Sequence, residues 1–89
     1  MESGFVSEAA DRATTLDEVE PGQEARIVRI RGAVAGLSRF VDMGLTRNAV
    51  VRVMGFAPLG DPMEIKVRGY NLSLRRREAS GIEVEVIPR

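Results

Sequence analysis

Residues 39–53 read R-F-V-D-M-G-L-T-R-N-A-V-V-R-V, and residues 57–84 read A-P-L-G-D-P-M-E-I-K-V-R-G-Y-N-L-S-L-R-R-R-E-A-S-G-I-E-V. The order of parts decides the fold: a helix stopped by Gly44, alternating strands, a loop holding both Gly and Pro, and a closing strand. Met63–Arg68 is the clearest strand, because Met63, Ile65 and Val67 alternate with Glu64, Lys66 and Arg68. In Val50–Phe56, Val51 and Val53 share one face and Arg52 takes the other. Gly69-Tyr70-Asn71 reads as a turn into Leu72 and Leu74, which alternate again. Arg75–Ser80 permits one helical turn, stopped by Gly81. Ile82, Val84 and Val86 then alternate with Glu83 and Glu85 up to Pro88.

Upstream, Ala25–Arg31 is a strand whose apolar residues Ile27 and Ile30 lie three apart. A bulge would return both to one face and bend the strand, as a small barrel requires. Val34–Met43 has helical spacing, with an apolar arc from Met43 through Phe40 and Leu37 to Val41 and Val34. That arc spans about half the circumference, wider than one-sided burial needs, so either the helix lies in a crevice or one edge is left for a partner. Asn48 tolerates positive φ and can take a turn position otherwise given to Gly. Thr15-Leu16-Asp17-Glu18 fits a capping box, with Thr15 as N-cap and Glu18 reaching back. Leu16 and Val19 then plug an open end of the barrel, and Pro21-Gly22 ends the turn.

Five tightly joined strands, one helix after the first and short helical turns predict a mainly β fold, a small SH3-like barrel. The expected core is Ile27, Ile30, Leu37, Phe40, Leu45, Val51, Val53, Ile65, Val67, Leu72, Leu74, Ile82 and Val84. Residues 1–13 lack periodicity and read as a flexible acidic tail, leaving 14–89 as the barrel domain. A single domain suits 89 residues.

Composition removes whole classes of function. The chain has no Cys and no His. Disulfides, thiolate metal sites and Ser-His or Cys-His catalysis are therefore out of reach. Neither a phosphate-binding loop nor a dinucleotide fingerprint occurs. No apolar run approaches the roughly 20 residues that span a bilayer, and the acidic start lacks the regions of a signal peptide. These readings predict a cytoplasmic, non-enzymatic protein without catalytic residues or cofactor. The net charge is zero but unevenly spread. Residues 1–24 carry seven acids and one base, whereas residues 25–77 carry eleven bases and three acids.

The quoted stretches, preceded by L-D-E-V-E-P-G-Q-E-A-R-I-V-R-I at 16–30, resemble the FeoA family over about residues 15–87. Arg39, Phe40, Met43, Gly44 and Leu45 match its helix-end pattern. Pro58, Gly60, Asp61 and Pro62 match its loop. Gly69, Leu72, Leu74, Arg75, Glu78 and Ala79 match its turn and second helical segment. The chain departs at Arg47-Asn48, where the family reads Pro-Gly, and at Phe40, where Leu is usual. The resemblance implies an SH3-like barrel with an accessory role in bacterial ferrous iron uptake. Its implied partner is FeoB, a membrane permease with a cytosolic GTPase portion, which would bring the chain to the inner face of the membrane. A similar barrel forms the C-terminal domain of metal-dependent repressors.

Partner-binding residues are expected in three groups. Phe56, Pro58 and Leu59 form an apolar knob on the loop. Val41 and Met43, with Arg39, edge the helix. Arg75, Arg76 and Arg77 offer bidentate donors for acidic groups. No dedicated metal site is expected. Asp42, Asp61, Glu64 and Glu78 are hard oxygen donors, and beside them stand only the thioethers of Met43, Met54 and Met63. Two alternatives stand beside docking. One is a nucleic-acid binder using Arg26, Arg29, Arg52, Lys66 and Arg68, which lacks stacking aromatics beyond Tyr70 and three Phe. The other is a weak transition-metal-binding module. An exposed strand edge could also pair two copies into a weak homodimer.

Overall fold

The computed structural model of the protein describes residues 13–31 and 43–88. Residues 1–12 of the predicted tail and residues 34–42 of the predicted helix, with Leu37 and Phe40 of the expected core, lie outside the described residues. Six strands form one antiparallel sheet: β1 (Ala13–Thr15), β2 (Glu24–Ile30), β3 (Val50–Phe56), β4 (Met63–Val67), β5 (Tyr70–Leu74) and β6 (Ile82–Ile87). Their order across the sheet is β1-β6-β2-β3-β4-β5. A 3-10 turn, Leu16–Glu18, follows β1, and one short helix, α1 (Arg76–Ala79), precedes β6. Among the described residues no helix is long and apolar enough to cross a membrane.

Two bulges curl the sheet. In β2, Ile27 faces Val84 and Arg29 faces Glu83, so Val28 is the extra residue. This is the bulge predicted between Ile27 and Ile30. In β3, Val53 faces Ile65 and Gly55 faces Glu64, so Met54 is extra. An extra residue reverses the in-out parity of everything beyond it. Phe56 thereby lands opposite Met63 on the inner face. Without the bulge it would point outward with Met54.

Inside the curl lie Ile27, Leu45, Val51, Val53, Ile65, Val67, Leu72, Leu74, Ile82 and Val84, as the alternation predicted. Ile30 is only partly buried and packs against this core. Leu16 and Val19 are buried, and their turn packs on α1 and β6. Ala25, Ala49, Met63 and Ala79 complete the core. Met63 sits at the inward end of β4 with no exposed surface, so its thioether belongs to the packing and is no ligand.

Local details correct three expectations. First, the capping box at Thr15 does not form. Thr15 is the last residue of β1, paired with Glu83, and its hydroxyl donates to Asp17 Oδ1 at 2.5 Å. Second, strand structure begins at Ala13, which faces Glu85, so the last residue read as tail is part of the sheet. Third, the turn after β4 is Arg68-Gly69 rather than Gly69-Tyr70-Asn71. Val67 pairs with Tyr70, and both turn residues have positive φ, 51° and 86°. That is the geometry of a two-residue hairpin whose twist suits the flanking strands. Asn48 has φ 72°, as expected of the residue standing where the family has Gly.

The Arg68 side chain is laid across Gly44. A Cβ built on Gly44 would come within 2.3 Å of Arg68 Cδ, and Gly44 itself has φ +101°. Only glycine leaves room there for the arginine stem and adopts that backbone without strain.

Candidate docking surface

Residues 57–62 bridge β3 and β4. Their ends are closed by the Ala57 N–H donating to Pro62 O at 2.9 Å. Their tip is closed by the Gly60 N–H donating to Ala57 O at 2.6 Å, with Gly60 at φ +88°. Two backbone bonds inside six residues make this a fixed turn. Leu59, at its crest, keeps 96% of its surface exposed, far more than Met43 at 39%, and Pro58 beside it is exposed too. An isolated, almost fully exposed leucine on a closed turn is an apolar projection with nothing of its own to pack on.

The turn leans on α1 through one residue. The Arg76 backbone N–H donates to Asp61 Oδ1 at 3.0 Å. The Arg76 side chain donates from Nη1 to Gly60 O at 3.1 Å and from Nη2 to Asp17 O at 3.3 Å. Its guanidinium lies over the Phe56 ring, 4.8 Å from the centroid. Asp61 thus supplies from a distant loop the carboxylate that a helix start favours. The same helix start is also served by Glu78, whose Oε1 accepts the Arg75 N–H at 2.9 Å. Glu78 and Asp61, considered above as metal donors, are both used as helix caps. Among the described residues no group of three or more acidic side chains is placed to hold a metal ion.

The expected partner-binding residues therefore divide. Leu59 and Pro58 project, and Arg75 and Arg77 are exposed. Phe56 is half-buried beneath Arg76 and packs against the core, so it forms the floor of the knob instead of its surface. Arg76 bonds within its own chain. Met43 lies on a different segment, ahead of Leu45. Arg39 and Val41 lie outside the described residues.

Outer faces elsewhere carry two apolar residues outside the expected partner-binding groups, Val50 and Met54, 45% and 52% exposed. Their positions flanking Arg52 on the outward side of β3 were legible; the Met54 bulge was not. A cleft of about 250 Å³ runs along Met54, Gly55, Phe56, Ala57 and Glu64 beside the turn. A larger cleft of about 510 Å³ is lined by Val28, Arg29, Ile30 and Arg47. Of the basic outer residues, Arg26 is held by Glu85 and donates to Asn48 Oδ1 at 3.2 Å. Arg31 pairs with Glu83 at 3.0 Å. Glu83 and Glu85 are thus ion-pair partners across β2 and β6 as well as solubilising groups.

The family model described as the FeoA domain matches residues 14–86, nearly the whole described barrel. The chain belongs to the FeoA family. A curated relative from Porphyromonas gingivalis, a fusion of Fe(2+) transport protein A with the Fe(2+) transporter FeoB, is 40% identical over 72 residues. Those residues are 81% of this chain and 8% of the relative's length, so the chain spans a small part of that protein. The solution structure of a FeoA-like protein from Clostridium acetobutylicum superposes with a TM-score of 0.77. It is 36% identical, over 88% of this chain and 91% of that one. Two more distant structures show the fold alone. A zinc-complexed FeoA from Stenotrophomonas maltophilia, described as an SH3 domain protein, has a TM-score of 0.69 at 24% identity, over 81% of this chain and 89% of that one. A manganese-dependent transcriptional repressor has 0.74 at 21%, over 84% of this FeoA chain and 37% of that one. The SH3-like FeoA fold expected from the sequence is the fold observed.

Proposed function

We propose that this FeoA chain is a non-enzymatic accessory of ferrous iron transport that docks on the cytosolic GTPase portion of a FeoB-type permease and modulates it. Family membership and the relative that joins the two proteins in one polypeptide support the transport role. The single observation that supports docking is Leu59, 96% exposed on a turn closed by its own backbone bonds. Leu59 and Pro58 supply burial, and Arg75 and Arg77 supply orientation toward acidic groups. The protein acts at the inner face of the membrane through this contact.

The test is retention of the chain by the soluble cytosolic portion of the permease, with and without GTP. Full burial of a leucine is worth about 1.5–3 kcal/mol, roughly ten- to a hundredfold in affinity. Leu59→Asp should lose at least that much while β4 stays folded. Undiminished retention of Leu59→Asp removes the loop from the reading. Binding of generic DNA that falls steeply with salt would favour a nucleic-acid role instead. Stoichiometric Fe2+ binding by the isolated chain would favour a metal carrier. Pairing of two copies through the edge of β5 belongs to the same proposal and is read from sedimentation.

A further inference from the structure

Three consecutive arginines follow β5, and they differ in what they do. Arg75 and Arg77 extend into solvent. Arg76 spends its side chain on the protein itself. Nη1 reaches Gly60 O, Nη2 reaches Asp17 O, and the Cζ between them lies over the Phe56 ring. Its backbone N–H holds Asp61. One residue therefore joins the loop tip, the 3-10 turn, the start of α1 and the aromatic floor. Each of the two loop residues it touches lies within two positions of Leu59.

We infer that Arg76 is a positioning residue, which fixes the geometry in which Leu59 is offered to an apolar pocket on the partner. This inference rests on the docking reading given above. Leu59 has no packing to steady it, so its orientation is set by the bonds on either side. The turn bond from Gly60 to Ala57 shapes the crest, and the clamp on Gly60 and Asp61 fixes that crest against the barrel. A lysine in place of Arg76 keeps the charge but not the device. Its single ammonium cannot span two separated carbonyls while lying flat on a ring. A loop that holds the presented geometry for a tenth to a third of the time binds about three- to tenfold more weakly.

The experiment uses the full chain, wild type and Arg76→Lys, Leu59→Asp and the double variant. Two quantities are measured: amide exchange at Gly60, and affinity for the soluble cytosolic portion of the permease at two salt concentrations. Arg76→Lys is expected to speed exchange at Gly60 while amides of β4 keep their protection. Its affinity should fall about three- to tenfold with an unchanged salt dependence of the association rate. Added to Leu59→Asp, it should cost nothing further, because it acts through that leucine. Wild-type affinity or unchanged Gly60 exchange in Arg76→Lys overturns the assignment. A loss that appears only as a weaker salt dependence does the same, since it makes Arg76 a steering charge. Phe56→Leu, which removes the ring and spares the hydrogen bonds, should move both readouts the same way by less. Absence of binding by the wild-type chain is a separate result: it removes the docking reading, and the role of Arg76 within it.

Discussion

Replacing Gly44 by Ala asks two things of the fold, and the structure separates them. The first is conformational: φ is +101°, where a side chain is strained. A left-handed backbone costs an L-residue about 1–2 kcal/mol. The second is steric: the new methyl would stand 2.3 Å from Arg68 Cδ and 3.0 Å from its Cγ. Those atoms are the stem of the side chain, so a shift at the tip gives no relief. Arg68 must change rotamer, at about 0.5–1.5 kcal/mol. Gly69 provides the control, because it has φ +86° and open space around it. Gly69→Ala should cost only the backbone term, about 1–2 kcal/mol. Gly44→Ala should cost about 1.5–3.5 kcal/mol, the same strain plus the displaced stem. Adding Arg68→Ala to Gly44→Ala should recover about 1 kcal/mol, since neighbouring residues couple where distant ones add. Urea unfolding of the four proteins measures this as midpoint shifts at constant slope. In heat, the gap between the two glycine variants should be about 4–8 °C. A Gly44→Ala no worse than Gly69→Ala, or a double variant with no recovery, refutes the claim that Gly44 is kept clear for Arg68.

Two further substitutions probe the core and the loop. Ile65→Ala hollows the centre of β4, where Ile65 has no exposed surface. It should cost about 2–5 kcal/mol in denaturant unfolding, a large share of what a domain this small possesses. Asp61→Ala leaves the Arg76 N–H without its acceptor at 3.0 Å. It should cost about 0.5–2 kcal/mol, seen first as faster amide exchange across residues 76–80.

Much of this fold could be read from the order of side chains, because burial imposes a period. Glu64 and Lys66 alternating with Met63, Ile65 and Val67 admit one half-buried strand. The three-residue step from Ile27 to Ile30 announced its bulge, since no regular strand buries both fully. Asn48 declared a positive φ by type. The Met54 bulge gave no such sign. Val53 and Phe56 are also three apart, but Gly55 between them has no side chain to register a face. Alternation alone therefore puts Phe56 on the outside. The Arg68-Gly69 turn lies one residue ahead of the expected one because arginine is not a turn former. It takes φ 51° here while its stem lies on Gly44. Thr15 satisfied a capping pattern that pairing with Glu83 had already claimed. The three arginines at 75–77 are indistinguishable as letters. Only the approach of the loop, over a separation of about fifteen residues, singles out the middle one.

The pairing of β1 with β6 has an outcome for how such a unit travels between proteins. Ala13 lies opposite Glu85, and the two strands run in opposite directions. The start of β1 and the later part of β6 therefore lie side by side. Entry and exit stand next to each other, like the two leads of a plug. A domain wired this way can be spliced into a longer polypeptide, at an end or within a surface loop, without any strand being pulled from its neighbour.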